Sequence, residues 1–363
     1  MFKIIFLSSS DFTIPILENI LENQNLDFRE IIQKQINFLE TEIKNENQRS
    51  GIFNLNFIKK LKEILAKDFI PDFYSQKPVL ELLISQPEKE NRGKIIPSKI
   101  LEFARKSNLQ IFTPEKLNKE IEKLPTFDIG VTASFGQILS SKVLETGKYG
   151  FINWHPSKLP QYRGPSPMQT SLYNGDKLSA LSWIEMTKAM DAGNILLQIN
   201  KSLNSEENIV NLTQKMANLG ANTWALAILL QILKLKFPEN NLSLAQNPDE
   251  ISFCKFLDKS QSLVNPFEMT NLEIFNHFRA YQNFPKTEME DKFFFKDKVK
   301  LLDCKICENS NFENILFENQ IWIQAKNDKK IQTYLKAKSG FLEILKLGLS
   351  NGKQINLQGF VMK

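Results

Sequence analysis

The sequence predicts an α/β fold: a doubly wound, mostly parallel sheet, followed by a smaller C-terminal β-barrel of the OB type. Its first part alternates short apolar strands with helical patterns, which is typical of parallel sheets. Its last part carries short alternating runs, which are typical of a small barrel. The chain has 363 residues, more than one domain usually contains, so two hydrophobic cores are expected.

The first part opens on a strand at Phe2 to Leu7 and a helix at Ile14 to Leu21. Residues 24–76 are rich in Lys, Glu, Asn and Gln and place apolar residues at helical spacing, which predicts a helical insertion whose role is open. A helix is expected at Ser98 to Lys106 and a buried one at Trp224 to Leu235. Further strands are predicted at Leu82 to Ile84, Gln110 to Phe112, Ile129 to Ala133 and Phe151 to Asn153.

A polar stretch from Pro238 to Glu250 has little periodic apolar pattern, which predicts a linker between domains. We therefore expect a catalytic domain over residues 1–237, a linker over 238–262 and a barrel over 263–363. The barrel strands are predicted at Phe293 to Phe295, Val299 to Leu302, Ile321 to Ala325, Thr333 to Ala337 and Phe341 to Leu347.

Composition narrows the class of protein. The formal net charge of +5 favours an anionic partner, although it is too small to mark a histone-like binder. Three cysteines in so long a chain do not make a disulfide framework, which fits the cytoplasm. The apolar run at the N-terminus is too short for a signal peptide, and no run reaches the roughly 18 residues of a membrane span. We expect a cytoplasmic monomer without membrane contact.

The chain has two histidines, His155 and His277, and His155 has the richer surroundings. It follows Asn153 by two positions at the end of a predicted strand, so both side chains project to one face. Open parallel sheets bind ligands at the carboxyl ends of their strands. The alternative is that His155 only hydrogen-bonds a loop.

Two further motifs follow this strand: the Pro- and Gly-rich segment of residues 156–167 and Met190-Asp191-Ala192-Gly193. The order N-x-H, S-x-L-P-x-x-R-G and D-x-G resembles the signature of the folate-dependent formyltransferases. Residues 1–23 and 80–235 are similar to that family, including Phe6 to Phe12, Ser85 to Pro87 with Asn91 to Lys94, and Ala133 to Leu139.

The resemblance implies a Rossmann-like formyltransferase fold and 10-formyltetrahydrofolate as formyl donor, with no metal. The long members of the family carry a C-terminal barrel and formylate the methionyl amine of initiator tRNA, and Leu342 to Lys353 is similar to the end of that barrel. The resemblance implies that folate is bound by Ser134, Phe135, Gly136, Gln137, Ile138, Leu139, Ser157, Leu159, Pro160 and Gly193.

A tRNA partner would meet basic residues of two kinds. Lys89, Arg92 and Lys94 lie in a loop that resembles the basic loop of the family, and Lys329 and Lys330 lie on the predicted barrel. The resemblance also gives Arg163 a place near the tRNA end or the folate. Lysines on a barrel suit phosphates. The alternative for each of them is a solvated face.

Formyl transfer to an amine requires these residue types for independent reasons. Attack on the formyl carbon develops negative charge on oxygen, which Asn153 and His155 could stabilise. Asp191 could orient His155 or accept the proton of the amine, directly or through water. Gly193 would let the main chain come close to the site. No covalent intermediate on the enzyme is needed.

Other chemistries have less support. Cys304 and Cys307 form C-x-x-C, but a structural zinc site takes four ligands and no second pair exists. There is no dinucleotide, P-loop or serine-hydrolase motif. Ser8 and Asn194 depart from the usual family pattern, and the basic loop is shorter. Two alternatives stay open: a formyltransferase for a nucleotide-linked aminosugar, and an RNA-binding relative without turnover.

Overall fold

The structure is a computed structural model that describes residues 1–46, 53, 55–67, 70–91, 93–240, 242–307, 312, 314–327, 330–358 and 360–362. The chain divides into two compact units. The first unit comprises Met1–Pro167, Leu178–Ser202 and Thr213–Cys254. The second comprises Met168–Lys177, Leu203–Leu212 and Lys255–Lys363.

A mixed, mostly parallel sheet forms the centre of the first unit, as predicted. In the described residues its strand order is β5-β2-β1-β6-β7-β8-β9. The first five strands in this order run parallel to one another. Strand β8 runs antiparallel to both of its neighbours, β7 and β9. The strands of this unit, including the separate hairpin β3–β4, are β1 (Phe2–Leu7), β2 (Pro78–Ile84), β3 (Lys89–Asn91), β4 (Lys94–Ile96), β5 (Ile111–Phe112), β6 (Ile129–Thr132), β7 (Phe151–His155), β8 (Leu178–Glu185) and β9 (Ile195–Ser202).

The helices predicted at Ile14 to Leu21, Ser98 to Lys106 and Trp224 to Leu235 are present, and the insertion is helical as predicted. Among the described residues the α-helices are α1 (Ile14–Glu22), α2 (Phe28–Asn45), α3 (Leu55–Ala66), α4 (Pro71–Tyr74), α5 (Lys99–Lys106), α6 (Ser141–Leu144), α7 (Pro167–Tyr173), α8 (Ile209–Ala221), α9 (Trp224–Lys236) and α10 (Asn271–Ala280). No single helix of the described ranges is long and apolar enough to cross a membrane, although α8 and α9, bent by 55°, pass that test as a pair.

The insertion is part of the core of the first unit. Helix α2 begins after Asp27, whose carboxylate accepts a hydrogen bond from the Glu30 amide at 3.0 Å and so caps the helix. The Phe28 ring at the start of α2 lies 6.0 Å from the Trp224 ring of α9. Lys201 on β9 bonds to Glu42 and Glu46 near the end of α2. The start of α2 therefore packs against α9, and its end is bonded to the sheet through β9.

Strand β7 carries the candidate site because of where it lies in the sheet. It is parallel to β6, with Thr132 opposite Asn153, and antiparallel to β8, with Ser182 opposite His155. Trp154 points to the opposite face and is fully buried. The alternation of a strand therefore places Asn153 and His155 on one face, at the carboxyl end of the parallel strands.

The segment that was predicted to begin the linker lies in the first unit. Leu244 pairs with Ile195 through two main-chain hydrogen bonds of 2.8 Å. The Cys254 amide donates to the Arg163 carbonyl at 2.9 Å. We call residues 242–254 the strap. Its hydrogen bonds are made by main-chain and polar groups, which a search for apolar periodicity does not detect.

An antiparallel sheet forms the second unit, consistent with the small barrel that was predicted. In the described residues the strand order is β10-β11-β15-β14-β13-β12, and β16 pairs with β15. Its core contains Met289, Leu335 and the buried Trp322 ring. The strands are β10 (Thr287–Asp291), β11 (Asp297–Cys307), β12 (Ile315–Glu318), β13 (Trp322–Asn327), β14 (Lys330–Lys336), β15 (Phe341–Leu349) and β16 (Gln354–Asn356).

The predicted strand at Phe293 to Phe295 is wrong. The amides of Phe293, Phe294 and Phe295 donate to the Asp291 carboxylate at 2.9, 3.2 and 2.8 Å. Trp322 Nε1 also donates to this carboxylate, at 3.1 Å. The buried aspartate therefore folds these aromatic residues into a turn, where three amides bond to one side chain instead of to a neighbouring strand.

His277 makes the stability of the second unit depend on pH. It is 3% exposed, and it bonds to the Thr287 hydroxyl and to the Gln261 carbonyl, each at 2.7 Å. Burial lowers the pKa of His277 to about 4. Between roughly pH 6.5 and pH 4 the unfolded chain takes up a proton that the folded unit does not, so stability falls as the pH falls through this range.

We expect the protonation of His277 alone to lower the free energy of unfolding of the second unit by on the order of 3 kcal/mol as the pH falls through that range. Hydrogen exchange of the α10 amides at several pH values measures this stability. The His277→Gln variant should lack this component of the pH dependence. An identical pH dependence in both proteins would contradict the assignment.

Candidate active site

An amide, an imidazole and a carboxylate meet at the carboxyl end of β7. Asn153 Nδ2 donates a hydrogen bond to Asp191 Oδ1 at 3.2 Å. His155 Nδ1 lies 3.6 Å from Asp191 Oδ2. The imidazole and carboxylate side chains are 5% and 13% exposed, so little water screens them. The carboxylate therefore lies against both groups that β7 presents.

The Asp191 carboxylate is also held from the other side. The Gly164 amide donates to Asp191 Oδ2 at 2.9 Å. Asp191 has a φ of +49°, in the left-handed region that a non-glycine residue rarely adopts. Strain of this kind persists only where the surroundings fix it, and it is common at functional sites.

His155 is oriented by the Pro- and Gly-rich loop. Its Nε2 lies 3.1 Å from the Tyr162 carbonyl oxygen. Because a carbonyl oxygen only accepts, Nε2 carries a hydrogen and donates it. Nδ1 then faces the Asp191 carboxylate from 3.6 Å, beyond hydrogen-bond distance. The loop and the carboxylate thus fix the plane of the ring.

Three predicted folate-binding residues of the same loop, Ser157, Leu159 and Pro160, are buried. Ser157 donates to the Gln161 carbonyl at 2.7 Å, and Gln198 Nε2 donates to the Leu159 carbonyl at 3.0 Å. Pro160 is buried and follows a cis peptide bond. These residues shape the loop that holds His155.

Gly193 is required by packing against the main chain of β8. A Cβ atom at this position would lie 2.0 Å from the Glu185 carbonyl oxygen, which no side chain permits. The neighbour that approaches is β8, so a ligand is not needed to explain the glycine.

The predicted folate loop divides into an inner and an outer set. Phe135 and Leu139 are buried in the core, and Gln137 bonds to the main chain of residues 114–117. Ser134, Gly136 and Ile138 alternate with them and are exposed, with Ile138 at 78%. An apolar side chain so exposed on an ordered loop is available to a flat, apolar ligand face.

The predicted tRNA-binding residues lie in different surroundings. Lys89 and Lys94 are exposed on the two strands of the β3–β4 hairpin, and Lys330 is exposed at the start of β14. Arg163 is only 9% exposed, and its guanidinium donates to Gln246 Oε1. Arg92 and Lys329 lie outside the described residues.

The cysteines play no visible part in the site chemistry. Burial raises the pKa of the Cys254 thiol, so this side chain behind Gly164 packs as a neutral group. Cys304 is buried in one core cluster of the second unit, and Cys307 packs against another. Within the described ranges, no three His, Cys, Asp or Glu side chains are grouped to hold a metal ion.

Sequence reasoning missed Gln246, a residue of the strap that contacts the site. Its Nε2 donates to the carbonyl oxygens of Asp191 and Gly193, each at 2.8 Å. No motif marks it, because it lies 55 positions after Asp191 in a segment without periodic pattern.

Comparison with known proteins identifies the class. A sequence profile described as formyl transferase matches residues 80–228. An N-formyltransferase from Helicobacter canadensis, solved with folinic acid and dTDP-3-aminofucose, has a TM-score of 0.53 at 17% identity over 95% of this chain and 99% of that chain. The sugar 3N-formyl transferase WlaRD has a TM-score of 0.51 at 17% identity over 95% and 97%. At this identity the likeness to the solved structures concerns the fold alone, and it is the fold of formyl transferases.

Relatives by sequence define the family more narrowly. The methionyl-tRNA formyltransferase of Mesoplasma florum is 30% identical over 71% of this chain and 82% of the relative. That of Sulfurihydrogenibium sp. is 32% identical over 62% of this chain and 72% of the relative. That of Caldicellulosiruptor saccharolyticus is 29% identical over 78% of this chain and 88% of the relative. This chain belongs to the methionyl-tRNA formyltransferase family.

Proposed function

We propose that the protein transfers the formyl group of 10-formyltetrahydrofolate to the α-amino group of methionyl-initiator tRNA and so supports translation initiation. The observation that carries this proposal is the meeting of Asn153, His155 and Asp191 at the carboxyl end of β7, in a chain of this family. The proposed division of labour places transfer in residues 1–237 and most of the tRNA binding in residues 263–363, joined through 238–262, whose residues up to 254 lie in the first unit.

The transfer step requires one bond to form and one to break. The neutral amine attacks the formyl carbon, and the carbonyl electron pair moves to oxygen. The carbon–nitrogen bond to N10 of the folate then breaks, N10 takes a proton, and the products are the formylated amine and tetrahydrofolate. No oxidant or external reductant is consumed.

Each of the three side chains has a distinct role in this step. Asn153 uses one amide hydrogen on Asp191 and has a second that can bond the developing oxyanion. The second donor is a hydrogen on His155 Nδ1, which lies 3.6 Å from Asp191 Oδ2 and so beyond hydrogen-bond distance, while the Nε2 hydrogen stays on the Tyr162 carbonyl. Such donors are worth about 10²- to 10³-fold in rate each. The Asp191 carboxylate takes the proton released by the amine, directly or through water.

Folate would lie along the exposed side of the loop formed by residues 134–139. Ser134, Gly136 and Ile138 face outward there and would contact the ligand, while Phe135 and Leu139 hold the loop on the core. Ser157, Leu159, Pro160 and Gly193 would act through the shape of the two loops around His155 and Asp191. This assignment gives buried members of the set an indirect role.

Lys89, Lys94 and Lys330 supply the proposed contacts to tRNA phosphates. We expect each Lys→Gln substitution at these positions to reduce the slope of log Kd against log salt by about one, because one released counterion is lost. Filter binding with methionyl-tRNA at several salt concentrations measures the slope. Lys34→Gln, at an exposed position on α2, is the matched control and should leave it unchanged. Equal slopes in all variants would remove these residues from the interface.

Other candidate functions differ from this proposal in the molecule that accepts the formyl group. The fold is shared with sugar N-formyltransferases, so a nucleotide-linked aminosugar is the second candidate, and an RNA-binding protein without turnover is the third. Release of tetrahydrofolate, followed with each acceptor in turn, separates them. We expect turnover with methionyl-tRNA only.

We also propose that the protein is a cytoplasmic monomer that acts without a membrane.

A further inference from the structure

Gln246 ties together the two loops that form the site. Its Nε2 donates to the Asp191 and Gly193 carbonyl oxygens, and its Oε1 accepts from Arg163 Nε at 3.0 Å and Nη2 at 2.8 Å. A primary amide has two hydrogens to donate and two lone pairs that accept. Every bonding position of this side chain is therefore used, half of them on the loop that carries Asp191.

The strap holds Gln246 at a fixed place. Before Gln246, Leu244 pairs with Ile195 on β9. After it, the Ser252 carbonyl accepts from the Arg163 amide at 2.9 Å, and the Ser252 hydroxyl accepts from the Tyr162 amide at 2.9 Å. A side chain anchored on both sides in this way reaches a defined point and loses little freedom when it bonds there.

The Gln246 bonds act on the part of the site that is strained. Asp191 has its main chain in the left-handed region, and its carboxylate projects from a Cα atom whose place is set by the loop of residues 191–193. Gln246 fixes that carbonyl and the one two residues later, whereas Gly164 fixes the carboxylate itself. Without Gln246, the loop of residues 191–193 loses both of these bonds, and a shift of its main chain carries the Asp191 Cα and carboxylate away from Asn153 and His155.

We infer that Gln246 is a positioning residue for formyl transfer, which acts through the main chain of Asp191 and does not touch the reacting atoms. This inference rests on the proposed function. It assigns a role in the reaction to the strap, the segment that sequence analysis takes for the start of a linker. The Gln246 side chain is a neutral amide, so it holds the Arg163 guanidinium without neutralising its charge.

Two substitutions at Gln246 remove different sets of its hydrogen bonds. Gln246→Met keeps the length of the side chain and removes all four hydrogen bonds. Gln246→Glu keeps an acceptor for Arg163 but replaces the two donated hydrogens with an oxygen that repels both carbonyls. We expect each to lower kcat by about 10- to 100-fold, since a displacement of 1 Å at a reacting group costs up to about 10². KM for both substrates should change by less than about threefold.

A matched control distinguishes positioning from a loss of folding. Gln231 on α9 is also buried and donates to the Tyr149 carbonyl at 3.1 Å, before the opposite end of β7. Gln231→Met should lower the melting temperature and leave kcat unchanged. Circular dichroism at the assay temperature shows whether each variant is folded. If Gln246→Met does not fold, Gln246→Glu carries the test.

The decisive readout is a double-mutant cycle with Asp191→Asn. If Gln246 acts through Asp191, its substitution costs less than about threefold once the carboxylate is already gone. An equal loss in both backgrounds, or an unchanged kcat in the Gln246 variants, overturns the inference and leaves the proposed function intact. A wild-type protein that forms no formyl product refutes the proposed function instead.

Discussion

Replacement of Asp191 by Asn should lower kcat by at least about 100-fold, since the proton acceptor is lost while the shape of the site is kept. An amide oxygen at this position can still accept from the Gly164 amide, which now bonds Asp191 Oδ2 at 2.9 Å. The charge that takes the proton of the amine is absent. The rate is measured at saturating concentrations of both substrates, and circular dichroism verifies that the variant is folded.

The matched control for this variant is Asp128→Asn. Asp128 also accepts a main-chain hydrogen bond, from the Lys3 amide at 2.8 Å, but it lies just before β6, at the opposite end of the sheet. We expect its substitution to leave kcat unchanged. A rate for Asp191→Asn within about threefold of the wild-type value would show that the carboxylate takes no part in proton transfer.

His155→Ala should lower kcat by about 10²- to 10³-fold, the usual effect of removing one donor to a developing oxyanion. The ring is held by the Tyr162 carbonyl at 3.1 Å and faces Asp191, so added imidazole can enter the space it leaves and restore part of the rate. Rates with and without imidazole, at a fixed pH, measure both effects.

The chain offers one direct control, because it has only two histidines. His277→Gln changes a buried histidine of the second unit and should leave kcat at the wild-type value at pH 7. If His155→Ala transferred formyl groups as fast as His277→Gln, the imidazole would have no role in the reaction.

The parallel part of the sheet could be predicted from the sequence because its strands are short apolar runs between helical patterns. Strand β1 has the predicted bounds, and β2, β5, β6 and β7 overlap the predicted segments. The helices of the insertion could be predicted because their apolar residues recur at helical spacing. Strand β8 was missed since six of its consecutive residues are buried, which leaves no alternation to detect.

The candidate site could be predicted where the residues lie on a strand or in a dense motif. Asn153 and His155 follow from the alternation of β7, and Asp191 follows from the family resemblance. Contacts between distant segments could not be predicted. Gln246 meets Asp191 across 55 positions, and Asp291 captures the amides of an aromatic run that has the pattern of a strand. In both cases the local structure depends on the hydrogen bonds of a polar side chain, and the periodicity of apolar residues does not predict such bonds.

The central claim is that Asn153, His155 and Asp191 act together on one formyl group. The most direct test is a single-turnover experiment with enzyme in excess, labelled 10-formyltetrahydrofolate and methionyl-tRNA, on the three single variants and the triple variant. We expect formyl-methionyl-tRNA from the wild type and a triple-variant rate within about tenfold of the slowest single variant, as for residues that act as a unit. Losses that multiply across the three positions, or transfer by the triple variant at the wild-type rate, would contradict the claim.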